Sequence, residues 1–178
     1  LAFWVVGAYN GLIALKNQVA NAWKQIDVQL KRRHDLIPNL VNAVKGQMDF
    51  ERGTLEAVIS ARAKALSVTG VAATAKAEGE LTQALGKLFA LAENYPELKS
   101  SANVLQLQQE LSSTENQLSA ARQVYNDTAT QYNTRQAQFP TNFVAGLAQA
   151  TPSELWEITD AAERAVPTVD FGRRQPGE

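Results

Sequence analysis

Apolar residues recur in this chain at alternating spacings of four and three: Val19, Trp23, Ile26, Leu30, then Ile37, Leu40 and Val44, with Arg33 breaking the row. Such a stripe is one face of a packed helix. Pro38 interrupts it, since its ring clashes with the carbonyl four residues back and it has no N–H to donate. A helix capped by Asp35 would put Pro38 in the first turn, where the missing donor costs nothing and the carboxylate meets the positive end of the dipole. The phase of the stripe survives across the proline, so one kinked helix is the alternative. The capping chemistry favours a break.

The helical pattern runs on through Met48, Leu55, Val58 and Ile59 to Leu66, and residues 67–70 end it. A third helix follows from Val71, with Leu81, Leu85, Leu88 and Ala92 on one face, and Tyr95-Pro96 stops it. In the fourth, Val104, Leu111, Leu118, Tyr125, Tyr132 and Phe139 sit seven apart, beside a companion row of Leu107, Thr114, Ala121 and Thr128. A sustained heptad predicts a left-handed packing seam, and the smaller row lets another helix approach closely. The pattern predicts an all-α fold: an antiparallel up-and-down bundle of four helices. At about 1.5 Å per residue the fourth helix is about 55 to 60 Å long and overhangs the partners preceding it.

Beyond Leu147 the character changes. Thr151-Pro152-Ser153-Glu154 offers a cap, a proline at the first helical position and a glutamate at the third, which predicts a short helix over residues 152–164. Residues 166–171 read as extended and 172–178 as disordered. An extended piece of this kind can dock on a neighbouring subunit, although a floppy terminus is the commoner outcome.

The opening residues 1–15 carry no charge. Fifteen residues fall short of the roughly 20 that a helix needs to cross a bilayer, so they predict the distal part of a membrane helix, with a core helix or a signal-peptide remnant as alternatives. Trp4 and Tyr9 are of the type that settles at interfaces. Lys16 and Lys24 follow with no acid before Asp27, which by the positive-inside rule places the body in the cytoplasm, the extracytoplasmic side being the alternative. The chain thus divides into a membrane segment (1–15), a helical bundle (16–147) and a C-terminal region (148–178).

The strings YNGLIALKNQV, AWKQIDVQLKRR, DLIPNLV and VKG, followed by ALGKLFALAENYPELK, LQLQQELSSTENQLSAARQVYND and YNTRQAQFPTNFVAGL, carry a resemblance in block order across most of residues 9–147. They resemble the LemA family of bacterial membrane-anchored helical proteins. The resemblance implies an N-terminal anchor in a bacterial membrane and a helical body. It implies no common biochemical activity, and some relatives are linked to internal membrane organisation. Many members have a His-Glu pair after the VKG block, where this chain reads Gln47, Met48, Asp49, Phe50 and Glu51. A role resting on that histidine does not carry over.

Candidate chemistry is sparse. A formal net charge of −1, without basic and aromatic interleaving, gives no reason to expect nucleic acid. The absence of cysteine removes disulfides, thiol catalysis and cysteine-based metal sites. His34 is the single histidine and reads as a solvated surface residue of the basic run 31–33, itself a solvated face that complements the end of the first helix. The pairs Glu51/Glu56 and Glu110/Glu115 are spaced by five, about 140° apart around a helix. Ser112 and Ser113 have no nearby base, and no glycine-rich loop resembles a phosphate cradle. No enzyme, cofactor or metal is expected.

The reading that remains is a non-enzymatic, membrane-anchored helical scaffold acting by self-association, with membrane remodelling as an extension. Its alternative is an accessory subunit of a membrane enzyme such as a protease or signalling kinase. The residues expected at the membrane are Phe3, Trp4, Val5, Val6, Tyr9, Leu12, Phe143, Val144 and Leu147. Those expected to join copies of the chain are Val104, Leu111, Leu118, Tyr125 and Tyr132.

Overall fold

The computed structural model describes residues 1–47 and 51–157. The regular structure of the described residues is all helical, without a strand: α1 (Ala2–Gln47), α2 (Arg52–Ser67), α3 (Val71–Ala92), the single turn α4 (Pro96–Lys99), α5 (Ala102–Ala137) and the single turn α6 (Asn142–Ala145). The long helices α1 and α5 run antiparallel against each other along their most extensive contact, and α2 and α3 form a hairpin packed against one end of that pair. The bundle is therefore up-and-down.

Helix ends follow local chemistry. Gly70, at φ 89°, turns the chain between α2 and α3 in a conformation that costs other residues a steric clash. Pro96 opens α4 at its first turn, where its missing N–H leaves no bond unmade. The Ser101 side chain accepts from the Val104 N–H at 3.4 Å and caps α5. Across the hairpin, Lys64 lies 2.7 Å from Glu80 and, by donating to it, holds that carboxyl below its usual pKa. The pair is exposed, so its contribution to stability is small.

The break expected at Asp35 does not occur, and α1 passes through Pro38 without ending. Asp35 is exposed and caps nothing. The cost of an internal proline falls on the carbonyl four residues earlier, that of His34, which loses its helical donor. Arg62 of α2 replaces that donor, its Nε lying 2.8 Å from the His34 oxygen. Ile37, Leu40, Val41 and Val44, all buried, hold the second half of α1 in the core. With α1 unbroken, it is α1 that is longest, about 69 Å at 1.5 Å per residue against about 54 Å for α5. The fourth long helix overhangs the hairpin but not α1.

Two cores share the α1/α5 pair. One is aliphatic, joining Ile37 to Val44, Leu55, Val58, Leu81, Leu85, Leu88, Leu98, Val104, Leu107 and Leu111. The other collects Val19, Ala22, Ile26 and Leu30 with Leu118, Tyr125, Ala129, Tyr132 and Trp156. The heptad of α5 is thus the seam with α1. The companion row drifts, with Thr128 giving way to Ala129 and then Gln136 in the buried stripe. A straight helix of 3.6 residues per turn slips about 20° per heptad, which over several heptads shifts the seam by one residue.

The helix expected over residues 152–164 is also absent in its described part, since residues 151–157 are non-helical. The remainder of that prediction, with the extended and disordered pieces after it, lies outside the described residues. Its apparent capping box is used elsewhere: Glu154 accepts from the Ala72 N–H at 3.4 Å, at the start of α3. The backbone of Ser153 and Trp156 is bonded to α5, which removes the groups a helix would need.

Candidate functional site

The beginning of α1 and the segment after α5 lie at one end of the bundle. α6 packs on α1, and Lys16 donates to the Gln149 carbonyl at 3.4 Å. Val144 of α6 and Leu12 of α1 are buried, at 3% and 1% exposure. Their neighbours face outward: Phe3 is 95% exposed, Val6 57%, Phe139 79%, Phe143 73% and Leu147 70%. Trp4 and Tyr9 are partly covered but still open, and Val5 is half-buried. Phe139 and Phe143 stack edge to face with ring centroids 5.8 Å apart. Exposed apolar side chains of this size at one end of the bundle make it a candidate contact surface.

Of the residues expected at a membrane, Leu12 and Val144 are therefore core residues. No helix among the described residues is long and apolar enough to cross a membrane, so the membrane-spanning helix expected at the start is not supported.

The five residues expected to join copies of the chain are buried within one chain. Val104, Leu111, Leu118, Tyr125 and Tyr132 are 0 to 4% exposed and face α1. A heptad seam finds whichever helix is nearest, and here that helix is covalently attached.

Arg33 and His34, expected in solvent, are buried at 2% and 7% exposure, while Lys31 and Arg32 are exposed. Because α1 does not break, Arg33 occupies the stripe between Leu30 and Ile37 and points into the bundle. Its guanidinium donates to Thr82 Oγ1 at 2.6 Å, and lies 3.0 Å from Glu115 and 3.7 Å from Glu78. His34 Nε2 is 2.5 Å from the buried Glu78 carboxylate. Burial lowers the Arg33 pKa, against the pull of Glu115 and Glu78 toward the charged form. The sequence held a signal for this: Thr74, Glu78, Leu81 and Leu85 share a helical stripe, so a buried acid on α3 matched a buried base on α1.

A cavity of about 230 Å³ lies beside this cluster, walled by Leu85, Phe89 and Leu111 with Arg33 and Glu115. Since Arg33 is already paired with two carboxylates, the cluster joins α1, α3 and α5 rather than presenting a free charge. Among the described residues no group of three or more His, Asp or Glu could hold a metal ion.

A second cluster, not expected from the sequence, forms where α5 meets the C-terminal segment. Asn133 and Asn126 each exchange two hydrogen bonds with the backbone, the first with Ser153 (2.9 and 2.7 Å) and the second with Trp156 (2.9 and 2.8 Å). Tyr125 donates to the Glu154 carbonyl at 2.6 Å. Trp156 is buried beside Trp23, ring centroids 6.1 Å apart, with Arg122 over its face at 5.6 Å. Burial, with the nearby Glu154 carboxylate, raises the Tyr125 pKa. The signal in the sequence was two asparagines seven apart, each following a heptad tyrosine.

The family model for the LemA family matches residues 22–171. A protein LemA from Metamycoplasma hominis is 33% identical over 145 residues, covering 80% of this chain and 66% of the relative. Two magnetosome proteins of Paramagnetospirillum magneticum, MamQ 1 and MamQ 2, are each 20% identical over 90% of this chain and 68% of their own length. The chain thus spans about two thirds of the length of these relatives. With its all-helical bundle and a match over most of its length, this chain belongs to the LemA family.

Proposed function

We propose that this protein is a non-enzymatic, membrane-associated scaffold that seats the apolar end of its bundle in a lipid surface and associates there with copies of itself. The observation that supports the reading is that Phe139, Phe143 and Leu147, exposed on and around α6, lie at the end of the bundle where α6 packs on α1, whose opening residues Phe3 and Val6 are also exposed. Burying side chains of this size stabilises by about 1.5 to 3 kcal/mol each, so a few of them suffice to hold a protein at an interface. Lys16 sits at the base of the tip, where its ammonium can meet anionic headgroups. The similarity to the MamQ magnetosome proteins is in keeping with a membrane-linked role.

Co-sedimentation with phosphatidylcholine and phosphatidylglycerol vesicles tests the reading. The intact protein pellets with vesicles, and crosslinking on them yields multimers. The surface variant Phe139→Ser/Phe143→Ser/Leu147→Ser partitions at least about tenfold more weakly. An intact protein left in the supernatant, or a variant that binds equally well, refutes the membrane contact; a strictly monomeric bound population refutes the self-association.

A further inference from the structure

Residues 151–157 lie along α5 in reverse order, Ser153 against Asn133 and Trp156 against Asn126. The register has a simple cause. Seven helical residues rise about 10.5 Å, and three residues of extended chain advance about 10 Å. Amides placed one heptad apart on a helix therefore meet every third residue of an extended peptide. Each asparagine offers one donor and one acceptor, matching the N–H and C=O of a single peptide residue. Main-chain bonds of this kind are indifferent to side-chain identity.

Selectivity comes from a single pocket. Trp156 is 4% exposed, whereas Pro152 and Leu155 face solvent and the Glu154 side chain, itself exposed, reaches only the Ala72 N–H at 3.4 Å. The pocket is built from Trp23, Tyr125 and Arg122, so it takes a flat aromatic ring. Main-chain clamping with one side-chain pocket is the chemistry by which folded domains hold extended peptides. Nothing in these contacts requires the peptide to be covalently joined to the helix it lies on. Just before the segment, Gln149 adopts φ 48°, a conformation that a residue with a side chain rarely takes.

We propose that the Asn126/Asn133 face of α5, with Trp23 of α1, is a binding site for an extended peptide with an aromatic residue three places after the first clamped residue, and that residues 150–157 of a second copy occupy it by exchange. The second copy is the occupant because it carries the one segment whose fit is observed. Exchange preserves every contact made within one chain and needs no new surface. The inference rests on the self-association proposed above and gives it a location. That location replaces the heptad seam, which is consumed inside the chain.

Two full-length variants separate the site from its occupant. Asn126→Ala/Asn133→Ala removes the clamp and keeps the segment. Ser153→Pro/Trp156→Ala keeps the clamp and removes the amide hydrogen and the ring that it reads. Circular dichroism checks that both retain the parent's helix content, and Trp156→Ala alone replaces the second if it does not. The probe is a labelled synthetic peptide, ATPSELWE. It binds the Ser153→Pro/Trp156→Ala protein at least about tenfold more tightly than the clamp variant, as expected for four lost hydrogen bonds. Mixing the two variants gives a one-to-one heterodimer in sedimentation that neither forms alone. Equal binding of the peptide to both, or binding to neither, overturns the site. Peptide binding without a heterodimer overturns the exchange. Wild-type protein that still multimerises on vesicles when the mixture does not overturns the exchange and leaves self-association standing; wild-type monomers on vesicles overturn both.

Discussion

The two halves of the α1/α5 pair are built from the same helices and the same heptad, yet they are covered differently. From Ile37 to Val44 the pair is roofed by α2 and α3, and the core there is aliphatic. From Val19 to Leu30 the roof is the start of α3, with Val71 and Ala75, together with the non-helical segment that carries Trp156, held by two asparagines and a tyrosine hydroxyl. A helix brings its own backbone bonds to an interface and contributes only apolar side chains. An extended segment brings unpaired N–H and C=O groups, and the face beneath it must supply partners. That difference explains why the covered half has leucine and valine where the strapped half has Tyr125, Asn126, Tyr132 and Asn133.

The difference predicts that damage to the covered half is global and damage to the strapped half local. The largest effect is expected for Glu78→Ala, which leaves Arg33 and His34 buried without their shared carboxylate. Removing one partner of such a cluster costs about 3 kcal/mol or more, read as a fall in the urea midpoint of the whole helical signal. A loss confined to one helix would contradict the assignment of this cluster as the joint between α1, α3 and α5.

Arg62→Met is next, at about 1 to 2 kcal/mol, because it strands the His34 carbonyl that Pro38 cannot serve. Adding Pro38→Ala restores a helical N–H to that carbonyl and recovers most of the loss in the same denaturation assay. Two independent, additive effects would mean that Arg62 does not compensate the proline.

The smallest effect is a pH step confined to the strapped half. The Tyr125 pKa is raised above its usual value of 10.0. The docked segment therefore favours the neutral phenol, and that contribution is fully present below pH 10.0 and lost as pH rises through the raised value. Alkaline titration followed by Trp156 fluorescence should show release of the segment with the helix signal intact. In Tyr125→Phe the step disappears.

Much of the fold was legible because helix packing repeats. Stripes at three and four residues marked α1, the hairpin and α5, and Gly70 and Pro96 marked turns through local backbone preference. The errors share one cause, which is that a residue's local preference was outweighed by a partner distant in sequence. Asp35 and Pro38 are good helix starters, but Arg62, 28 residues from His34, made the proline tolerable. Thr151 to Glu154 have capping chemistry, but Asn133, 20 residues from Ser153, took the backbone instead.

The candidate sites divide the same way. The apolar end was visible because residues 1–15 carry no charge and Phe139, Phe143, Val144 and Leu147 follow one another closely after the heptad. What the sequence determined by itself is an all-helical chain of the LemA kind, with the heptad of α5 as its main seam and an apolar beginning. Only the tertiary structure decided that α1 is the seam's partner, that Arg33 and His34 turn inward onto Glu78, and that a non-helical C-terminal segment is held by Asn126 and Asn133. Periodicity is a property of one helix, whereas the partner of a seam, a buried charge or an unpaired backbone group is settled by what the rest of the chain brings within hydrogen-bond reach.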